Sequence, residues 1–154
     1  MRFHLRTIIA EKRVVYNQGV SDILSKVARL FVDLPTSESP SQWPAELDAV
    51  IASERHHRLV MENESVRVLE TIIPPGETTH LHTHIWPAAT YFLSCSDMVR
   101  RDEKGKVLMD TRTMDIQRSP GEAAWTPILG PHTLENVGDQ TIHVITVEVK
   151  PQGA

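Results

Sequence analysis

The pattern of apolar and polar positions divides the chain near residue 55. Apolar residues recur at the spacing of one helix face over 21–34, which predicts a helix. The following stretch, 35–44, is rich in proline and serine and predicts a linker, and 45–54 predicts a second short helix. We therefore expect an N-terminal helical extension with its linker over residues 1–54.

From His57 onward the pattern changes to short β-type runs separated by turn signals. The last run alternates cleanly, with Ile142, Val144 and Thr146 on one face. Many short strands with little helix between them predict an all-β antiparallel sandwich or barrel over residues 55–150, followed by a tail at 151–154. The nine predicted strands span residues 57–62, 65–73, 79–86, 88–94, 97–101, 106–110, 122–126, 132–136 and 141–149.

Composition narrows the class of protein. The chain has 154 residues, of which 40% are hydrophobic and 23% charged, as in a globular protein with one core. A net charge of -4 and scattered basic residues argue against binding to nucleic acid or to an anionic membrane. The single cysteine, Cys95, excludes an intrachain disulfide and favours a reducing compartment, so we expect a cytoplasmic protein.

Three histidines, His80, His82 and His84, occupy alternate positions after a glycine turn. In a β-strand, residues i and i+2 point to the same face about 6.6 Å apart, so an H-x-H pair can reach one metal ion. A third ligand must come from another strand that faces the same interior. His132, which follows a turn and opens a strand, is the best candidate.

Two spaced motifs resemble those of the cupin superfamily. Residues 76–84 match G-x5-H-x-H, and residues 121–136 are similar to G-x5-P-x-G-x2-H-x3-N, with the inner glycine displaced by one position to Gly130. The resemblance covers residues 57–149. It implies a cupin-type double-stranded β-helix, or jelly-roll barrel, with a metal bound by the motif histidines, which are His82, His84 and His132. Small cupins often pair through their sheets, so the resemblance also implies a homodimer.

One position departs from that resemblance. The family's first motif continues to a glutamate that usually binds the metal, but Ala88 and Ala89 stand at the equivalent positions. Glu70 is the candidate for a replacement acid, because the parity of its strand places it inward. Without a carboxylate ligand, a divalent ion keeps its full charge and favours an anionic ligand. We therefore expect one divalent transition metal (Fe, Mn, Ni, Cu or Zn) and a small anionic substrate.

Two classes of function remain open, besides a metal-free scaffold whose sheet or N-terminal helix serves assembly. The first is an enzyme, either dioxygenase-like or using the metal as a Lewis acid. The second is a non-catalytic cupin that binds or senses a small molecule, with or without metal. His80, Trp86 and Trp125 are candidates for the wall of the substrate pocket, whereas His57 has no partner pattern and is expected at the surface or in ordinary packing.

Overall fold

The structure of the protein is a computed structural model that describes residues 40–114 and 117–151. The helix predicted over 21–34 lies outside these residues. Nine strands form the framework, which confirms the all-β prediction. They are β1 (His57–Glu62), β2 (Val66–Ile73), β3 (His82–His84), β4 (Ala88–Ser94), β5 (Met98–Asp102), β6 (Val107–Asp110), β7 (Ala123–Thr126), β8 (Leu129–Asn136) and β9 (Ile142–Val149).

Residues 40–52 form short helical turns that lie against the sheets. Two 3-10 helices, Pro40–Gln42 and Ala45–Leu47, precede a one-turn α-helix, α1 (Ala49–Ala52). Asp48 forms a parallel β-bridge with Thr83, whose Oγ1 donates a 3.2 Å hydrogen bond to the carbonyl of Leu47. This segment therefore packs on the strand that carries two of the candidate histidines. None of the helices in the described residues is long and apolar enough to cross a membrane.

The strands form two antiparallel sheets. One has the order β1-β2-β9-β4-β7 and the other the order β3-β8-β5-β6. Buried and more exposed side chains alternate along β2, β4 and β9, so the first sheet has one buried face. On β2 and β9 the buried residues lie opposite one another, pairing Ile73 with Ile142 at one end and Arg67 with Glu148 at the other. The interior is therefore apolar at one end and polar at the other.

The apolar end holds the core. Ile73, Phe92, Ile142 and Val144 form its centre, with Cys95, Met98, Ala124 and Leu134 packed against it. Asn136 closes this end by donating 2.8 Å hydrogen bonds from Nδ2 to the carbonyls of Ile73 and Gln140. The two motif glycines, Gly76 and Gly121, have φ values of 76° and 90°, a conformation that favours glycine.

Candidate metal centre

Four histidine rings meet between the two sheets. His82 and His84 come from β3, and His132 lies opposite His82 on β8. The fourth, His57, is the first residue of β1. The His82 ring is central, with its centroid 4.5 Å from His57, 5.1 Å from His84 and 4.3 Å from His132. Ligand atoms of His57, His82 and His84 all lie within 4.8 Å of one another, a group positioned to hold a metal ion.

Of the two places expected for His57, the surface and ordinary packing, the structure excludes the surface. His57 is only 5% exposed, and it belongs to the group of histidines that could hold a metal ion. His57 pairs with Thr71 of β2, whose side chain is also buried, so strand pairing turns its imidazole inward. A lone histidine at the start of a strand carries no spacing that would reveal this, since its partners lie far along the chain.

Each of the four rings is anchored by a hydrogen bond at Nδ1. A carbonyl or carboxylate oxygen can only accept, so each Nδ1 carries the proton and each Nε2 keeps its lone pair for a ligand. The acceptors are the carbonyl of Ser53 for His57 (3.3 Å), that of His80 for His82 (2.8 Å), the carboxylate of Glu148 for His84 (2.8 Å), and the carbonyl of Gly130 for His132 (2.8 Å).

Burial keeps three of these rings neutral, those of His57, His82 and His132. It lowers the pKa of His57 to about 3, and electrostatic repulsion from His84 lowers it further. Burial likewise lowers the pKa of His82 to about 2, with contributions from His84 and His57. The pKa of His132 also falls well below its ordinary value, mainly through burial. Neutral imidazole is the form that binds a metal, so these rings need no deprotonation near neutral pH.

Comparison with known proteins supports a fold assignment. No protein-family model and no curated protein match the sequence. A cupin domain from Bordetella pertussis Tohama I matches with a TM-score of 0.50 and 21% identity, covering 62% of this chain and 92% of that one. The described domain has the cupin fold. An RmlC-like cupin family protein from Methanocaldococcus jannaschii is also similar, with a TM-score of 0.45 and 13% identity over 60% of this chain and 77% of that one.

An acid is present in this cupin barrel, but on a different strand from the one that the motif indicates. Ala88 faces inward and is 2% exposed, whereas Ala89 is exposed. The residue that pairs with Ala88 on neighbouring β9 is Glu148, which is fully buried. Glu148 stands an even number of positions from Ile142 and Val144 on β9, so it lies on the same, inner face of the strand. Glu148 accepts the Nδ1 hydrogen bond of His84, so it orients a candidate ligand.

Glu148 remains ionised because it is paired. Its Oε2 accepts a 2.5 Å hydrogen bond from Nε of Arg67, whose Nη1 donates to Asp48 at 2.8 Å. Burial opposes ionisation of Glu148, but the hydrogen bonds from His84 and Arg67 outweigh it, and its pKa lies below the ordinary value. The resulting chain from Asp48 through Arg67 and Glu148 holds the His84 ring in place.

We expect Glu148→Gln to lower the free energy of unfolding by about 3 kcal/mol, because it leaves the buried Arg67 without its closest counter-charge. Urea unfolding followed by tryptophan fluorescence measures this change. Glu70→Gln is the matched control, since Glu70 pairs with Arg58, whose side chain is 67% exposed, and its loss should have a much smaller effect. Equal effects of the two substitutions would contradict a structural role for the buried pair.

Two predicted residues, His80 and Trp125, lie outside the histidine cluster. His80 is exposed, and its Nδ1 lies 3.0 Å from the carbonyl of Ala52. The strand begins only at His82, so strand alternation does not extend to His80. Trp125 is 54% exposed on the outer face of β7, where it pairs with exposed Ala89, and the structure does not bring it to the histidines.

The two remaining candidates are Trp86 and Glu70. Trp86 stacks beside Arg67, whose Cζ is 4.8 Å from the ring centroid, so it packs on the residue that holds Glu148. The expectation that Glu70 faces inward is wrong. Glu70 alternates with the buried residues of β2 and accepts hydrogen bonds from Arg58 and His143 on the outer face.

Proposed function

We propose that this protein binds one divalent transition metal ion through the histidines between its sheets. The observation that supports this most directly is the anchoring of Nδ1 on every ring, which leaves the Nε2 atoms as ligands. His57, His82 and His84 supply the closest three nitrogens, and His132, whose ring lies 4.3 Å from that of His82, is the candidate fourth ligand. The set predicted from the sequence, His82, His84 and His132, is contained in this larger group.

The donors suit a particular class of metal. Neutral imidazole nitrogens suit Fe, Ni, Cu and Zn, whereas Mg and Ca prefer oxygen. Among the described residues, the closest group of potential ligands contains no carboxylate, and Glu148 is already paired with His84 and Arg67. A bound divalent ion would therefore keep most of its charge, which favours a small anionic ligand.

The proposed role follows from this charge. When bound, such a metal polarises a coordinated oxygen atom as a Lewis acid, or supports redox chemistry if it is Fe or Cu. The chain itself holds the ligands rigidly, since Glu148 fixes His84 and backbone carbonyls fix the other three rings. We infer a metal-dependent cupin that acts on a small anionic substrate.

Elemental analysis of protein purified without a histidine tag or chelator tests the proposal. We expect about one transition metal ion per chain, either as purified or after anaerobic reconstitution with Fe, Mn, Ni, Cu or Zn in turn. Occupancy below about 0.1 per chain with all five metals would contradict metal binding and favour a metal-free binding module.

A further inference from the structure

An arginine shares the interior with the histidines. Arg100 lies on β5 opposite Leu134 of β8, and Leu134 packs against the apolar core. Side chains of paired residues project to the same face of a sheet, so Arg100 also faces inward. His132 is two residues from Leu134 on the same face of β8, which makes it a diagonal neighbour of Arg100, about 7–8 Å away between Cα atoms.

The positive charge of Arg100 is not compensated by a protein group. Its side chain makes no hydrogen bond or ion pair with any residue in 40–114 or 117–151, and its Nε is buried without a partner. The nearest acid by strand register, Asp102, accepts the backbone N–H groups of Lys104 and Lys106 instead.

Two other arginines, Arg67 and Arg101, differ from Arg100 in having an acidic partner. Arg67, also inward-facing, is bonded to Glu148 and Asp48. Arg101, the next residue on β5, points to the opposite face and donates a 2.6 Å hydrogen bond to Glu135. Both have the counter-charge that Arg100 lacks. An unpaired buried charge such as that of Arg100 costs free energy of folding. An inward-facing guanidinium without a counter-ion is therefore suited to receive one from a ligand.

Arg100 is also close enough to the histidines to affect them electrostatically. Its charge contributes to the lowered pKa of both His82 and His132. Burial lowers the pKa of Arg100 itself to about 10, so it stays protonated near neutral pH. Arg100 is a half-buried residue, and its Nε is among the fully buried atoms.

We propose that Arg100 binds the carboxylate of a small organic acid, holding it beside the histidine cluster. A planar guanidinium donates two parallel hydrogen bonds to a carboxylate, which gives orientation as well as attraction. A small organic acid is thereby named as the substrate class of the proposed function, and the position of its carboxylate beside a metal rests on that function. The ion pair itself does not require the metal.

Isothermal titration of metal-free and zinc-loaded protein with acetate, oxalate and pyruvate in chloride-free buffer tests the assignment. We expect at least one of these carboxylates to bind, and Arg100→Leu to weaken its binding at least about 10-fold. Arg101→Leu, the matched control on the opposite face of the same strand, should bind as the natural protein does. Arg100→Lys should recover part of the affinity, because it keeps the charge but not the paired donors.

Thermal unfolding without ligand separates binding from folding. Because the charge is unpaired, Arg100→Leu should unfold at an unchanged or higher temperature. Failure of all three acids to bind in both forms, or equal weakening in Arg100→Leu and Arg101→Leu, would overturn the proposal. Carboxylate binding without any metal uptake would support the assignment of Arg100 as the carboxylate-binding residue and contradict the metal-dependent function. Metal uptake without carboxylate binding would support metal binding and contradict the role of Arg100.

Discussion

His82→Ala is expected to abolish tight metal binding. The His82 ring is the central member of the cluster, with ring centroids of His57, His84 and His132 all within 5.1 Å. Its loss removes a ligand and also opens a cavity between the other rings. Removing an outer partner of a metal ligand already costs about 10–100-fold in affinity, so removing the central ligand should cost more than about 100-fold. Competition titration with a zinc-binding dye measures the change.

His143→Ala is the matched control for that experiment. His143 lies on the same strand as Glu148 but faces outward, where its Nε2 lies 3.0 Å from the carboxylate of Glu70. Its removal should leave zinc affinity unchanged. Near-normal zinc affinity in His82→Ala would show that the histidine cluster does not hold the ion.

Comparison of His57→Ala with His132→Ala distinguishes the two possible ligand sets. The cupin motifs assign His132, whereas the closest group of ligand atoms contains His57. If all four histidines bind the ion, each substitution weakens binding and neither abolishes it. An unchanged affinity in one variant would exclude that residue from the ligand set.

The bounds of some strands could be predicted from the sequence. The predicted bounds of β1 and β4, 57–62 and 88–94, agree with the observed strands. The strand predicted over 79–86 is reduced to His82–His84, and its pairing with β8 shifts register between these two histidines. Alternation reports which side chains face inward, but it does not show where backbone pairing stops.

The site could be predicted only in part, because its remaining members are brought in by strand pairing. His82, His84 and His132 stand at motif spacing and do come together. His57 joins them through its pairing with Thr71, and Glu148 enters beside Ala88 from a neighbouring strand. Neither pairing leaves a short-range signal in the sequence, although the parity of β9 could have marked Glu148 as inward-facing.

The metal-free protein is expected to lose stability steeply in acid. His57 and His82 have pKa values of about 3 and about 2 when folded, against about 6.5 when unfolded. Above about pH 6.5 both states hold these rings neutral and stability is complete. Below it the unfolded state binds more protons, so stability falls until the pH reaches the folded pKa values. Each histidine contributes about 1.4 kcal/mol per pH unit across that window.

Together these two residues should lower the free energy of unfolding by about 5 kcal/mol between pH 6.5 and pH 4.5, a large share of the stability of an ordinary domain. Urea unfolding of the metal-free protein at a series of pH values measures the slope. His57→Gln should reduce the slope by about 1.4 kcal/mol per pH unit, whatever its effect at neutral pH, because one titrating group is gone. An equal slope in His57→Gln and the natural protein would show that His57 is not held neutral by burial among the other rings.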